Sequence, residues 1–209
     1  MALDRGHWRA MTTTGRKPLD GQAQRITPAG LVRRFFRARG GATAIEFVIL
    51  ALPFSALIFA ILESCVSFAA QQLISNATDD IARQIRTGQV KAADITETKI
   101  RKMVCDRISL VVGDDCPGLE IDLREYTSFE DAAKASFKIE TGEIKLTKNG
   151  ASDGDFKIEP GKSLTKNMLR VFYRWPVMTD YLRKSMANLK DDKTLLYATT
   201  TWQNEPFDD

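Results

Sequence analysis

Residues 47–70 read FVILALPFSALIFAILESCVSFAA, and this apolar stretch decides the architecture of the chain. No Lys or Arg occurs between residues 40 and 82, and Glu63 is the only charged residue inside the stretch. As a helix it would span about 36 Å, more than the roughly 30 Å hydrocarbon core of a bilayer. A buried core helix is the alternative assignment, but its apolar run would be shorter. The stretch therefore predicts one membrane-spanning helix.

The distribution of charge predicts the orientation of this helix. Residues 1–41 contain nine basic and two acidic side chains, a net charge of +7, whereas residues 42–209 have a net charge of −4. The positive-inside rule then places the N-terminus in the cytoplasm and the C-terminal domain outside it. We expect the basic leader to contact anionic lipid headgroups, because it has no aromatic interleaving typical of nucleic-acid binding. A cleaved secretory signal, the competing interpretation, would have a shorter apolar core.

Apolar residues recur at helical spacing beyond the span and predict that the same helix continues to about Thr87 and ends at Gly88. The predicted organisation is a leader over residues 1–41, a helix over 42–88 with its membrane span at 47–70, and an outer domain over 89–209. A second helix is predicted over residues 95–112, with Asp94 or Thr96 as its N-cap and Gly113 at its end.

The outer domain then changes to the two-residue period of strands. Leu119, Ile121 and Leu123 alternate with polar residues, which include Glu120 and Asp122 and are predicted to form a solvated face. Further strands are predicted within residues 137–147, 169–175 and 195–202, and a short helix is predicted after Thr179, its expected N-cap. These elements predict an α+β fold: a long N-terminal helix followed by a small domain with a mainly antiparallel sheet. Trp175, Tyr173 and Trp202 are expected in its core.

The cysteines favour a structural role. Cys105 and Cys116 lie eleven residues apart in the domain that we place in an oxidising compartment, and a bridge between them would add about 3 kcal/mol in the chain-entropy model. The alternative, a zinc site, needs two more ligands of suitable spacing, and none is near. Cys65 lies in the membrane stretch, where we expect an inert thiol. The only histidine is His7, so histidine-based metal sites and Ser-His-Asp sites are excluded; we expect no cofactor and no enzyme.

The junction between leader and helix reads Arg37-Ala-Arg-Gly-Gly-Ala-Thr-Ala-Ile-Glu46-Phe47. Gly41 offers an uncrowded, flexible peptide bond, and Glu46 is an acid at the membrane edge, where an unpaired charge is disfavoured. The alternative is a chance occurrence, with Glu46 hydrated at the interface. This junction resembles the processing site of type IV prepilins, which implies a cut between Gly41 and Ala42, or after Gly40 if that glycine is used.

The resemblance extends through Pro53, Ile61-Leu-Glu63 and Ala70-Gln-Gln-Leu-Ile-Ser-Asn-Ala77 to the TadE-like domain of tight-adherence (Flp-type) pilus assembly proteins, over residues 38–87. The short motifs Tyr173-Arg-Trp-Pro176 and Asn204-Glu-Pro-Phe207 also resemble longer members. The resemblance implies a minor pseudopilin of the bacterial inner membrane or the pilus. Its implied partners are a prepilin peptidase, other pilins and pseudopilins, and the pilus assembly platform. The alternative is a membrane-anchored periplasmic binding or sensor domain with an uncleaved signal anchor.

Two further residues of the apolar stretch are of interest. Glu63 lies deep in it, where an ionised acid costs on the order of 2.5–3.5 kcal/mol near the bilayer centre. Either it contacts a polar group of a neighbouring helix, or it is neutral or reaches the outer headgroups. Pro53 would free a backbone carbonyl and is expected to kink the helix, which is tolerated in membrane spans.

Overall fold

The computed structural model describes residues 41–113 and 115–207. The chain divides between Ala51 and Leu52 into two units, and the second unit contains most of the long helix and every described element after it. The predicted leader lies outside the described residues, apart from Gly41.

Helix α1, Ala42–Arg86, contains 45 residues and runs through Pro53. It is long and apolar enough to cross a membrane, and no residue of its most apolar window is buried in the structure. The described part of the chain therefore does not bury this window, as the alternative assignment of a core helix would require. The helix ends next to the predicted stop: Gly88 has a φ of +69°, and its N–H donates to the carbonyl of Ile85. Glycine adopts this left-handed conformation without steric cost.

The second helix and the strands follow in nearly the predicted places. A 3-10 helix, Ala92–Asp94, precedes α2, Glu97–Val112, in which the Thr96 hydroxyl accepts a hydrogen bond from the N–H of Lys99 and Gly113 ends the helix. The remaining elements in chain order are β1 (Leu119–Tyr126), α3 (Phe129–Ala133), β2 (Ala135–Glu140), β3 (Glu143–Lys148), β4 (Ala151–Ser152), β5 (Lys166–Pro176), α4 (Asp180–Met186) and β6 (Lys193–Gln203).

The strands form two three-stranded antiparallel sheets, in the orders β1-β5-β6 and β2-β3-β4. In the first sheet Leu119 lies opposite Tyr173, and Val171 lies opposite Ala198. The predicted α+β fold with a mainly antiparallel sheet is confirmed, although the domain contains two sheets rather than one.

The main core lies between the helices and one face of the β1-β5-β6 sheet. The outer half of α1 contributes a stripe of buried residues at helical spacing, and α2 contributes a second stripe. Fully burying one such isoleucine is worth roughly 1.5–3 kcal/mol. The predicted aromatic core residues Tyr173, Trp175 and Trp202 are all buried here. The stripe of α1 consists of Ala70, Ile74, Ala77, Ile81, Ala82 and Ile85.

The opposite face of the same sheet is covered by the β2-β3-β4 sheet. Phe172 of β5 is buried against Ile144 and Leu146 of β3. The prediction that Glu120 and Asp122 form a solvated face is therefore wrong: Asp122 is fully buried, and Glu120 is partly buried. Strand alternation indicates which residues share a face, but it does not indicate whether a second sheet packs on that face.

Candidate functional site on the long helix

The predicted processing site coincides with the start of α1. Gly41 directly precedes the helix, and Ala42 is its first residue. A Cβ atom added to Gly41 would meet no described atom within 4 Å. Packing within the described structure therefore does not require a glycine at this position.

Glu46 lies in the first turns of α1 with an exposed side chain. Among the described residues it has no hydrogen-bond or ion-pair partner. From Phe47 to Leu62 the helix has no charged residue, and most of its large apolar side chains are exposed. This uncharged segment spans about 24 Å at 1.5 Å per residue. Glu46 and Glu63 are the charged residues that precede and follow this uncharged segment in the sequence.

Glu63 makes a contact that neither sequence interpretation anticipated. Its Oε1 accepts a hydrogen bond from the backbone N–H of Met178 at 2.5 Å, and its Oε2 accepts from the N–H and hydroxyl of Thr179 at 3.2 and 2.5 Å. We call this contact the Glu63 cap, because Thr179 is the N-cap residue of α4 and makes no side-chain cap of its own. Glu63 thus has a partner within its own chain, in the loop that follows β5.

An apolar cavity of about 320 Å³ lies beside the Glu63 cap. Phe59, Leu62 and Val66 line it from α1, and Trp175, Met178 and Thr179 line it from the other side. Trp175 belongs to the motif Tyr173-Arg-Trp-Pro176, so this motif forms one of the contacts between the domain and the helix.

The second motif noted in the sequence, Asn204-Glu-Pro-Phe207, contacts the C-terminal end of α1. The N–H of Glu205 donates to the carbonyl of Arg86 at 2.9 Å, and the Arg86 guanidinium lies 3.1 Å from the Glu205 carboxylate. A Cβ atom on Gly88 would lie 2.9 Å from the ring of Phe207. The segment Asn204-Glu-Pro-Phe207 therefore satisfies a carbonyl at the C-terminus of α1, where helices leave such groups unpaired. The outer domain therefore contacts the outer part of α1 at both of its ends, at Glu63 and at Arg86.

Between these ends, α1 covers the free edge of strand β6. The Gln71 side chain donates to the carbonyl of Tyr197 at 2.8 Å and accepts from its N–H at 3.2 Å, as a neighbouring strand would. About two turns further along α1, the carboxylate of Asp79 accepts a hydrogen bond from the Thr200 hydroxyl. Side chains that occupy an edge in this way reduce unwanted strand pairing.

Two of the three cysteines are joined within the outer domain, and the third lies on α1. Cys105 and Cys116 form a disulfide with a Cα–Cα distance of 5.8 Å, and it joins the middle of α2 to the loop before β1. Cys65 is a free, exposed thiol on α1. The described residues contain no group of three or more His, Cys, Asp or Glu side chains that could hold a metal ion.

A buried ionic cluster lies between the two sheets and was also missed. Asp122 contacts the guanidinium of Arg124 at 2.8 Å and that of Arg170 at 2.7 Å, and it accepts from the N–H of Lys157. Burial alone would lower the pKa of Arg124, but the charge and hydrogen bond of Asp122 outweigh it, so the pKa is raised. For the neighbouring Tyr126, which is neutral when protonated, burial raises the pKa. Asp153, which is partly buried, is a second acid of the cluster: its carboxylate lies 3.0 Å from the guanidinium of Arg124 and 3.9 Å from that of Arg170.

Comparison with known protein families gives a match to part of the chain. The family model described as TadE-like protein matches residues 41–83, from the glycine before α1 almost to the end of that helix. The resemblance predicted from the sequence is confirmed for this segment. No curated protein and no solved structure matches the chain.

Proposed function

We propose that the chain is a minor pseudopilin of tight-adherence (Flp-type) adhesive pili, matured by a prepilin peptidase that cuts after Gly41. The main support is a coincidence of three boundaries. The TadE-like match begins at Gly41, α1 begins at Ala42, and the basic part of the sequence ends at Arg39. In this proposal α1 spans the inner membrane, and the domain that follows lies in the periplasm.

The surroundings of Gly41 support its role as a processing residue. Because packing within the described fold does not require a glycine there, a functional requirement for Gly41 would come from the peptidase. A residue without a side chain lets an enzyme approach the backbone closely. Cleavage at this bond would leave α1 intact with a new amino group at Ala42.

Glu46 is then the residue that we assign to assembly. Its carboxylate is exposed and has no described partner, and it would lie at the membrane edge, where each charge is better paired than alone. The new amino group of a neighbouring subunit is a suitable partner and would set the axial register of helix packing. The exposed apolar surface of α1 would pack against other pilin-type helices, so we propose a structural role rather than an enzymatic one.

The test is N-terminal sequencing of the membrane-extracted protein together with substitutions at the junction. We expect the mature chain to begin at Ala42 and expect Gly41→Val to block cleavage without unfolding the domain. Gly40→Val serves as the matched control and should be cleaved normally. The reverse result for the two glycines would place the cut after Gly40. An assembled protein that keeps Met1 would contradict processing and favour the uncleaved signal anchor of a periplasmic binding or sensor domain.

The role of Glu46 is tested separately by Glu46→Gln. Loss of a hydrogen-bonded charge contact of about 1.5–3 kcal/mol should lower the amount of assembled pili about tenfold or more, with insertion and cleavage unchanged. Glu46→Asp retains the charge and should have a smaller effect. Normal pili from Glu46→Gln would mean that this acid is only hydrated at the interface.

A further inference from the structure

The loop that follows β5 is fixed in position along the axis of α1. The Glu63 cap binds the backbone of Met178 and Thr179 directly to the residue that ends the uncharged segment of α1. The loop therefore lies level with the end of that segment along the helix axis. If α1 spans a membrane, as the proposed function requires, the loop lies at the outer edge of the hydrocarbon.

The loop is apolar where it faces outward. Met178 is 72% exposed and lies beside exposed apolar residues of α1, so that together they form one apolar patch of the kind that marks membrane or protein contacts. Pro176 precedes it, and Val177 is buried beneath it. Thus the side chain of Met178 extends from a supported loop and is not part of the core.

The cavity beside Met178 is continuous with the apolar surface of α1. Phe59, Leu62 and Val66, which line it, are also among the exposed apolar residues of the helix. Any bilayer that surrounds the segment from Phe47 to Leu62 also reaches the mouth of this cavity. Trp175 also lines the cavity and is itself buried.

We propose that Met178 and this cavity form a lipid contact of the outer domain, in which Met178 inserts into the outer leaflet and a phospholipid acyl chain occupies the cavity. The occupant is a lipid because the lining side chains continue the surface of the span. A cavity of about 320 Å³ has room for a segment of one chain. The contact would hold the domain against the membrane surface before assembly, with the Glu63 cap as the element that sets its depth.

The test is a measurement of membrane depth with nitroxide labels in the full chain, reconstituted in phosphatidylethanolamine–phosphatidylglycerol vesicles. Cys65→Ser removes the free thiol, and the disulfide remains intact. Single cysteines are then introduced as Met178→Cys, as Leu110→Cys on the exposed surface of α2, where Leu110 is 91% exposed, and as Leu57→Cys in the span. Collisions with molecular oxygen report an apolar environment, and collisions with a polar nickel chelate report water.

We expect the oxygen-to-nickel collision ratio at position 178 to exceed that at position 110 by about tenfold or more, since a polar chelate is excluded from an apolar layer. Adding Glu63→Ala should shift the ratio at position 178 towards that at position 110. Equal ratios at 178 and 110, with position 57 in lipid, would overturn the lipid contact and leave the proposed function intact. An aqueous ratio at position 57 would overturn both. A label at 178 that is shielded from both reagents would identify a protein partner, such as a second copy, and would overturn the lipid assignment.

Discussion

Asp122 lies at the centre of a buried ionic cluster in the outer domain. It contacts two guanidinium groups in a fully buried position, and Arg170 in turn donates to the carbonyl of Ser136 on the second sheet. The cluster therefore joins the two sheets by charge as well as by apolar packing. A buried ionic cluster is not strongly stabilising in itself, but removal of one member leaves uncompensated charge.

We therefore predict that Asp122→Asn lowers the free energy of unfolding by about 3–5 kcal/mol, because Arg124 and Arg170 lose their fully buried counter-charge and keep only the partly buried Asp153. Glu125→Gln is the matched control: Glu125 lies in the same strand with an exposed side chain, and its substitution should change stability by less than about 0.5 kcal/mol. Denaturant unfolding of the full chain in detergent, followed by near-ultraviolet circular dichroism, measures both. Equal stabilities of the two variants would show that the cluster is dispensable.

At this scale, the sequence could predict partners that are close along the chain but not those that depend on tertiary packing. Cys105 and Cys116 are separated by eleven residues, and their pairing followed from short spacing. The partners of Glu63 lie 115 and 116 residues away in the sequence. One signal was available: Arg170 stands within the otherwise apolar run from Met168 to Tyr173, a pattern that often indicates a buried and paired charge.

At the scale of elements, α1 combines two segments with different surroundings. Residues before Glu63 present exposed apolar side chains, whereas residues from Ser67 onward include a buried stripe against the domain. The change in periodicity made this division predictable, and the capping residues Thr96, Gly88 and Gly113 made the helix ends predictable. The cover provided by the β2-β3-β4 sheet was not predictable, because strand patterns do not specify which faces meet.

The Glu63 cap gives an element-scale prediction. Glu63→Ala removes the acceptor for the N–H groups of Met178 and Thr179, and hydrogen bonds to a charged group are worth about 1.5–3 kcal/mol. Amide hydrogen exchange in the loop and the start of α4 should accelerate about tenfold to a hundredfold. Gln72→Ala is the control, because Gln72 is exposed on the same helix and bonds only to Asn76 among the described residues. Unchanged exchange in Glu63→Ala would mean that packing by Trp175 alone holds the loop.

At the scale of the whole molecule, the proposed topology places the three cysteines in two environments. Cys65 lies on the apolar part of α1, and Cys105 and Cys116 form a disulfide within the outer domain. Disulfides persist in oxidising compartments and are rare in the cytosol. The state of these thiols in cells therefore reports on which side of the membrane the domain lies.

We predict that protein denatured directly from cells has one thiol that can be alkylated without reductant and three after reduction, as counted by mass spectrometry. The single modified residue should be Cys65. Cys105→Ser should lower the free energy of unfolding by about 3 kcal/mol, the chain-entropy value for a loop of this size. Cys65→Ser, at an exposed position, is the control and should leave stability nearly unchanged. Alkylation of both Cys105 and Cys116 without reductant would place the domain in the cytoplasm, and the orientation inferred from the basic leader would then be reversed.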